Sequence, residues 1–284
     1  MKISVFGAGL MGTPIADTLQ QSGYKVTAYN RTPSKLETLK DSNIQTTTDI
    51  SEAIAQSQYL LLTLSDAKAI ESVLFTNSPS FTNKTIIQMG TIAPNESRDI
   101  AAKIQEQGGS YLEAPVLGSI PQAKTGTLLV MAGGDQETYK NCLPLLQKLG
   151  EEPRLIGEVG TAAALKLALN QLIASLTAGF SLSLGLIQKE GVDVESFMAI
   201  LRESALYAPT FDKKLQRMGD RQFTNPNFPT KHLLKDTNLF LQAAEAAALN
   251  SEGLVGVRDI IAQAITKNLA DQDYSAIYNI INPE

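Results

Sequence analysis

Residues 2–13 read KISVFGAGLMGT, a short β-branched strand that runs at once into Gly7, Gly9 and Gly12, with Leu10 and Met11 before the last, and then into a helical pattern from Pro14. No other stretch restricts the fold as much. Strand, G-x-G-x-x-G and helix in that order make the phosphate-holding turn of a doubly wound nucleotide-binding sheet. Gly7 permits the tight turn, Gly9 lets the backbone approach a pyrophosphate, and Gly12 lets the helix close on the strand. The pyrophosphate is expected at the helix N-terminus, where free N–H groups and the helix dipole favour negative charge. A strand-to-helix turn without ligand can use the same glycines, but the order of elements favours the nucleotide.

Up to about residue 157, short apolar runs at 3–6, 25–29, 59–63, 85–89, 110–112 and 128–131 alternate with helical stretches such as 13–22, 48–56 and 97–107. That alternation predicts a parallel sheet covered on both faces. Past Gly160 nearly everything reads as helix: 162–189, 194–203, 212–218, 230–249 and 252–268. The expectation is α/β: an N-terminal Rossmann doubly wound sheet over 1–159 that binds the dinucleotide, then an all-α domain over 160–284 for substrate and oligomerisation. A length of 284 residues suits two domains.

Composition then removes mechanisms. The sequence holds one Cys, Cys142, and one His, His232. Neither an intramolecular disulfide nor a multi-His zinc site can form, and a Cys–His nucleophile pair would need those two residues to meet. No metal is expected, and acid–base chemistry falls to Lys, Tyr, Asp or Glu. With 24 Lys+Arg against 29 Asp+Glu, a net charge of -5 gives no general attraction to nucleic acid or anionic membrane. The N-terminus enters the glycine turn too soon for the apolar centre of a signal peptide, so a cytoplasmic chain is expected.

Residues 167–188 carry no charge and are long enough for a bilayer, but Asn170, Gln171, Ser175, Thr177, Ser181, Ser183 and Gln188 make a poor lipid-facing helix. A helix buried on most sides by protein is expected instead. From Ala162 to Lys189 it would be about 42 Å long. It outruns a small domain, which predicts a second subunit over part of it and a homodimer or homotetramer.

The strand at 25–29 ends in Asn30-Arg31-Thr32. NAD sites usually place a carboxylate there for the ribose hydroxyls. Here none stands to repel a 2′-phosphate; Arg31 offers a planar fork of donors, and Asn30 and Thr32 offer further hydrogen bonds, so NADP is expected over NAD. The other reading of Arg31 is a solvated loop residue. In GTAAALKLALN (160–170), Lys166 sits in an apolar run with Asn170 four residues on, and the two share a helix face. Burial would lower the lysine's pKa toward the acid–base range, whereas a snorkelling surface lysine fits the same pattern. His232 lacks the motif of a histidine proton donor and reads as a loop or helix-start residue. Tyr207, Phe211 and Phe228 suit either a cleft wall or plain core.

Four segments resemble the β-hydroxyacid dehydrogenase family, which includes 3-hydroxyisobutyrate dehydrogenases and the glyoxylate/succinic semialdehyde reductases: GAGLMG, EAPVLGSIPQAKTGTL (113–128), GTAAALKLALN and KDTNL (235–239). The resemblance spans both domains and implies a 6-phosphogluconate dehydrogenase-like architecture. It implies that Lys166 is the catalytic acid/base, that Asn170 helps bind substrate, and that Leu117, Gly118 and Ser119 form the loop holding a substrate carboxylate. It also implies that Lys235 closes over cofactor and substrate and that Thr91 touches the nicotinamide end. Glu113 and Ser119 resemble the glyoxylate/succinic semialdehyde reductase branch. Leu117 departs from both branches: it replaces a serine and adds apolar bulk at the substrate end, leaving the Gly118 and Ser119 N–H groups and the Ser119 hydroxyl for the carboxylate. The implied activity is NADP(H)-dependent hydride transfer to a small aldehyde-acid, or the reverse oxidation of a 3-hydroxy acid. A 3-hydroxyisobutyrate or tartronate semialdehyde-type dehydrogenase is the near alternative. A non-catalytic NADP-binding assembly module is the distant one, and the retained Lys166 speaks against it.

Overall fold

The computed structural model of the protein describes residues 1–40, 42–76 and 80–284. They pack as two units, Met1–Lys166 and Leu167–Glu284. In the first, the described residues form nine strands: β1 (Lys2–Phe6), β2 (Lys25–Tyr29), β3 (Gln45–Thr47), β4 (Tyr59–Leu62), β5 (Thr85–Gln88), β6 (Ser110–Glu113), β7 (Val116–Leu117), β8 (Leu129–Gly133) and β9 (Arg154–Gly157). The order β3-β2-β1-β4-β5-β6 is parallel throughout, and it reverses direction beside β1, the doubly wound arrangement of a dinucleotide-binding sheet.

Alternate side chains of these strands enter two cores, one on each face. Ile3, Val5, Tyr59 and Leu61 meet Ile15 and Leu19 of α1 (Gly12–Gln21) on one side. Phe6, Leu60 and Leu62 meet the other face, where α2 (Ile50–Gln56), α3 (Ala67–Leu74) and α4 (Pro94–Glu106) supply Ile54, Ile70 and Ile100. Asp49 and Asp66 start α2 and α3 by accepting backbone N–H groups of the first turn.

The sheet is not parallel to its end. β8 runs antiparallel to β6, β7 antiparallel to β8, and β9 parallel to β8. Parallel neighbours need a crossover of about a dozen residues or more, usually a helix. Between β6 and β8 the chain holds two prolines, a two-residue strand and only the short α5 (Ile120–Thr125), so it turns back instead. α6 (Gln136–Leu146), capped by Asp135, follows β8 and places Cys142 fully inside the first core. Burial pushes that thiol up to about 12, which leaves it protonated and inert.

α7 (Thr161–Lys189) opens in the first unit and continues through the second, where α8 (Val194–Glu203), α9 (Pro209–Gly219), α10 (Thr230–Ala246) and α11 (Glu252–Thr266) follow. Phe180 of α7 stacks on Phe211 of α9 with ring centres 4.7 Å apart, and Tyr207 meets Phe211 edge-on, so these two aromatics are packing residues of the helical core. Lys214 reaches both carboxylate oxygens of Asp273 at 2.8 Å within that unit.

By length and composition alone α7 could cross a membrane, and less than half of its most apolar stretch is buried. Thr177 and Ser181 are sealed inside, whereas Leu172, Leu176, Leu182 and Leu186 are exposed. Most positions along 167–188 are buried or half-buried, as expected of a helix covered on most sides: the polar-containing face is packed, and one leucine-bearing face is open. The residue spacing has no means of assigning which stripe the neighbouring helices choose.

Candidate active site

The glycine turn joins β1 to α1. Gly7 has φ +110°, donates its N–H to the Tyr29 carbonyl at 2.9 Å, and its own carbonyl accepts from Thr63 Oγ1 at 2.8 Å. A Cβ on Gly12 would lie 1.7 Å from that carbonyl, so only glycine lets α1 start here. On Gly9 a Cβ would meet nothing within 4 Å. Gly9 and Leu10 are exposed, Met11 is half-buried, and among the described residues no side chain caps the N-terminus of α1. An open backbone surface at an uncapped helix start fits a pyrophosphate, so the residues present suit a dinucleotide.

Asn30 binds the turn rather than facing away from it. Its Oδ1 accepts from the Ala8 N–H at 3.1 Å and its Nδ2 donates to the Thr32 carbonyl at 3.0 Å. Both ends of the amide are thus engaged by backbone, and the residue holds the glycine loop against the end of β2. Arg31 and Thr32 are exposed beside it, with no carboxylate in the Tyr29–Thr32 run. Thr63, at the end of β4, joins the same cluster; the sequence offers no signal for it, because its role depends on β4 lying beside β1.

At the end of β5 the fully buried Gln88 clasps Gly90 through both amide ends, accepting its N–H and donating to its carbonyl, which shapes the turn carrying the half-buried Thr91. The 117–119 loop follows β6. Leu117 is half-buried and pairs with Leu129 across β7 and β8, and Gly118 is exposed. The Ser119 N–H and hydroxyl both donate to Gln122 Oε1, at 3.0 and 2.9 Å. The pair holds one acceptor oxygen, and a substrate oxygen arriving there would displace the Gln122 amide.

Lys166 lies half-buried in the second turn of α7. One turn on, in the second unit, Asn170 is 3% exposed and donates from Nδ2 to Asp236 Oδ2 at 2.6 Å. Asp236 Oδ1 in turn lies 2.9 Å from Lys235 Nζ. The buried Asp236, itself unassigned by sequence reasoning although it stands in KDTNL, thus brings Asn170 and Lys235 together. Asn170 Oδ1 is buried with no hydrogen-bond partner among the described residues, an acceptor that a hydroxyl donor would satisfy.

His232 sits in the first turn of α10, stacked on the Phe228 ring at 6.4 Å. Burial pulls its pKa below the ordinary value, and the Lys235 and Lys231 charges act the same way against Asp236 and Asp271. Among the described residues no cluster of three or more His, Cys, Asp or Glu suits a metal.

Residues 2–160 match the family described as the NAD binding domain of 6-phosphogluconate dehydrogenase, and residues 160–281 the one described as NAD-binding of NADP-dependent 3-hydroxyisobutyrate dehydrogenase. Glyoxylate/succinic semialdehyde reductase 1 of Arabidopsis thaliana is 30% identical over 285 residues, covering 99% of this chain and 98% of the relative. The 2-hydroxy-3-oxopropionate reductase of Escherichia coli (strain K12) is 32% identical over 284 residues, covering 98% and 96%. A 3-hydroxyisobutyrate dehydrogenase of Mycobacterium tuberculosis, solved with L-serine, shares the fold with a TM-score of 0.88 at 21% identity, over 99% of this chain and 98% of that one.

Proposed function

The chain belongs to the β-hydroxyacid dehydrogenase family, and from that premise we propose that it is an NADPH-dependent reductase of small aldehyde-acids, glyoxylate or succinic semialdehyde among them, with Lys166 as its acid/base. Its family makes it an oxidoreductase of hydroxyacids with an NAD(P)-binding domain. The observation that carries the finer reading is the pair on α7: a half-buried Lys166 followed one turn later by Asn170, whose amide is oriented by the buried Asp236. Gly7, Gly9, Leu10, Met11 and Gly12 would receive the pyrophosphate, Arg31 and Thr32 the 2′-phosphate, and Thr91 the nicotinamide end, with Lys235 closing over the cofactor. When bound, the reduced nicotinamide supplies a hydride to the carbonyl carbon. Lys166 Nζ holds a proton for the carbonyl oxygen as negative charge develops there, and in the reverse direction takes it from the hydroxyl. Asn170 positions the substrate, its open Oδ1 accepting from a hydroxyl other than the reacting one, such as the 2-hydroxyl of tartronate semialdehyde. Gly118 N–H and the Ser119 donors hold the carboxylate once Gln122 swings aside, and Leu117 packs on the substrate's carbon chain.

Support for NADP over NAD is the exposed Arg31 and the want of a carboxylate at the end of β2. The relative named for 2-hydroxy-3-oxopropionate favours tartronate semialdehyde as a second substrate. The proposal includes a second copy of the chain over the exposed leucines of α7.

Following NADPH oxidation with glyoxylate, succinic semialdehyde, methylglyoxal and tartronate semialdehyde tests the substrate. Lys166→Ala is expected to lower kcat by about a hundredfold or more, the scale of a lost general acid, with NADPH affinity nearly unchanged. Normal turnover in that variant sinks the assignment. Arg31→Ala is expected to weaken NADPH selectively, and a clear wild-type preference for NADH defeats the cofactor choice.

A further inference from the structure

The N-terminus of α7 is held by a side chain from far back in the chain. Glu113, at the end of β6, is 1% exposed. Its Oε1 accepts from the N–H groups of Gly160, Ala162 and Ala163 at 2.9, 2.8 and 3.2 Å, 47 to 50 residues later. Its Oε2 accepts from the buried Ser97 hydroxyl at 2.5 Å, and Ser97 Oγ lies 2.8 Å from the buried Tyr111 hydroxyl. Gly133 makes room for the group, since a Cβ there would fall 2.3 Å from Oε1. Three donors on one oxygen complete the first turn of a helix that lacks a local Ser, Asp or Asn cap, and a carboxylate there also meets the positive end of the helix dipole.

Lys166 follows Ala162 and Ala163 by one turn, and a helical side chain leans back over the turn N-terminal to it. Fixing those two N–H groups therefore fixes the platform over which the lysine lies. All the groups involved, from Ser97 to Lys166, belong to the first unit. We infer that Glu113 is a positioning residue for Lys166: by clamping the first turn of α7 to the end of β6, it sets where the ε-amine presents its proton. The inference rests on the reading of Lys166 as proton donor. A chain that loses this clamp keeps the lysine but misplaces it, and misplacement by about 1 Å costs on the order of a hundredfold in rate.

The test is a double-mutant cycle on the full chain, with NADPH and glyoxylate, of wild type, Glu113→Gln, Lys166→Ala and the double variant, using single-turnover measurements for the slow forms. Glutamine keeps the shape and an acceptor oxygen, so the chain folds. Glu113→Gln is expected to lower kcat about tenfold to a hundredfold with KM and NADPH affinity within about threefold. In the Lys166→Ala background the same substitution is expected to cost less than about twofold, because there is no amine left to misplace. Ser97→Ala, which frees only Oε2, should give a smaller loss of the same pattern. Losses that multiply in both backgrounds, or that fall on KM alone, overturn the inference. Hydrogen exchange of the amides at 160–163 reads the clamp without turnover: at least about tenfold faster exchange in Glu113→Gln is expected, and unchanged exchange overturns it. If Lys166→Ala turns over normally, or no aldehyde is reduced, while exchange in Glu113→Gln rises, the clamp stands and the proton-donor reading is what has failed.

Discussion

His232 shows how much one side chain can report when it has no competitor. It is the single histidine of the sequence, it packs on Phe228, and burial keeps it neutral. Its folded pKa lies below the value of 6.5 that it regains on unfolding, so below that pH the unfolded chain binds the extra proton and the folded chain resists it. The stability it contributes is fully present above pH 6.5 and is lost as pH falls below it, by at most about 1.4 kcal/mol per pH unit. Urea unfolding at pH 7, 6 and 5 should show this slope, and His232→Asn, which cannot ionise, should flatten it between pH 6.5 and 5. An unchanged slope would assign the loss to carboxylates instead. Asn30 teaches the complementary lesson. Its place at the end of β2 is readable from the sequence, but its two backbone partners, Ala8 and Thr32, emerge only once β1 and β2 lie side by side.

Among the elements, the strand–turn–helix at residues 2–21 separates folding from binding. Gly12 faces the Gly7 carbonyl at a distance no Cβ tolerates, while Gly9 faces open space. Gly9→Ala should therefore leave the thermal midpoint within about 2 °C of wild type and weaken NADPH binding at least about tenfold. Gly12→Ala should lose both, with several degrees of Tm, since overpacking against backbone costs about 1–3 kcal/mol. Equal Tm values for the two would contradict this division. This motif was legible because each of its demands is local: three glycines, a preceding strand and a following helix. The parallel strands β1, β2, β4 and β5 and the long α7 were legible for the same reason, through period and composition. The antiparallel return of β8 was not, because it depends on how far a six-residue helix can carry the chain. Nor was the service of Glu113 to α7, or of Asp236 to Asn170, since hydrogen bonds spanning 47 to 66 positions leave no mark in local spacing.

At the scale of the whole molecule, the open face of α7 carries Leu172, Leu176, Leu182 and Leu186, with Gly179 between them offering no side chain. Exposing such a row to water is unfavourable by roughly 25 cal/mol per Å2 of apolar surface, and the proposed second copy of the chain would remove it. Light scattering at micromolar concentration should give at least twice the 30.5 kDa chain mass, and Leu182→Lys with Leu186→Lys should return it to the monomer. A monomeric wild-type mass refutes the assembly. The sealed Cys142 gives this question a practical answer. Its thiol is fully buried and stays protonated at neutral pH. An engineered cysteine at an exposed α7 position would thus be the sole reactive thiol of the native chain, and a spin label attached there would report the spacing between copies in the proposed assembly without any background to subtract.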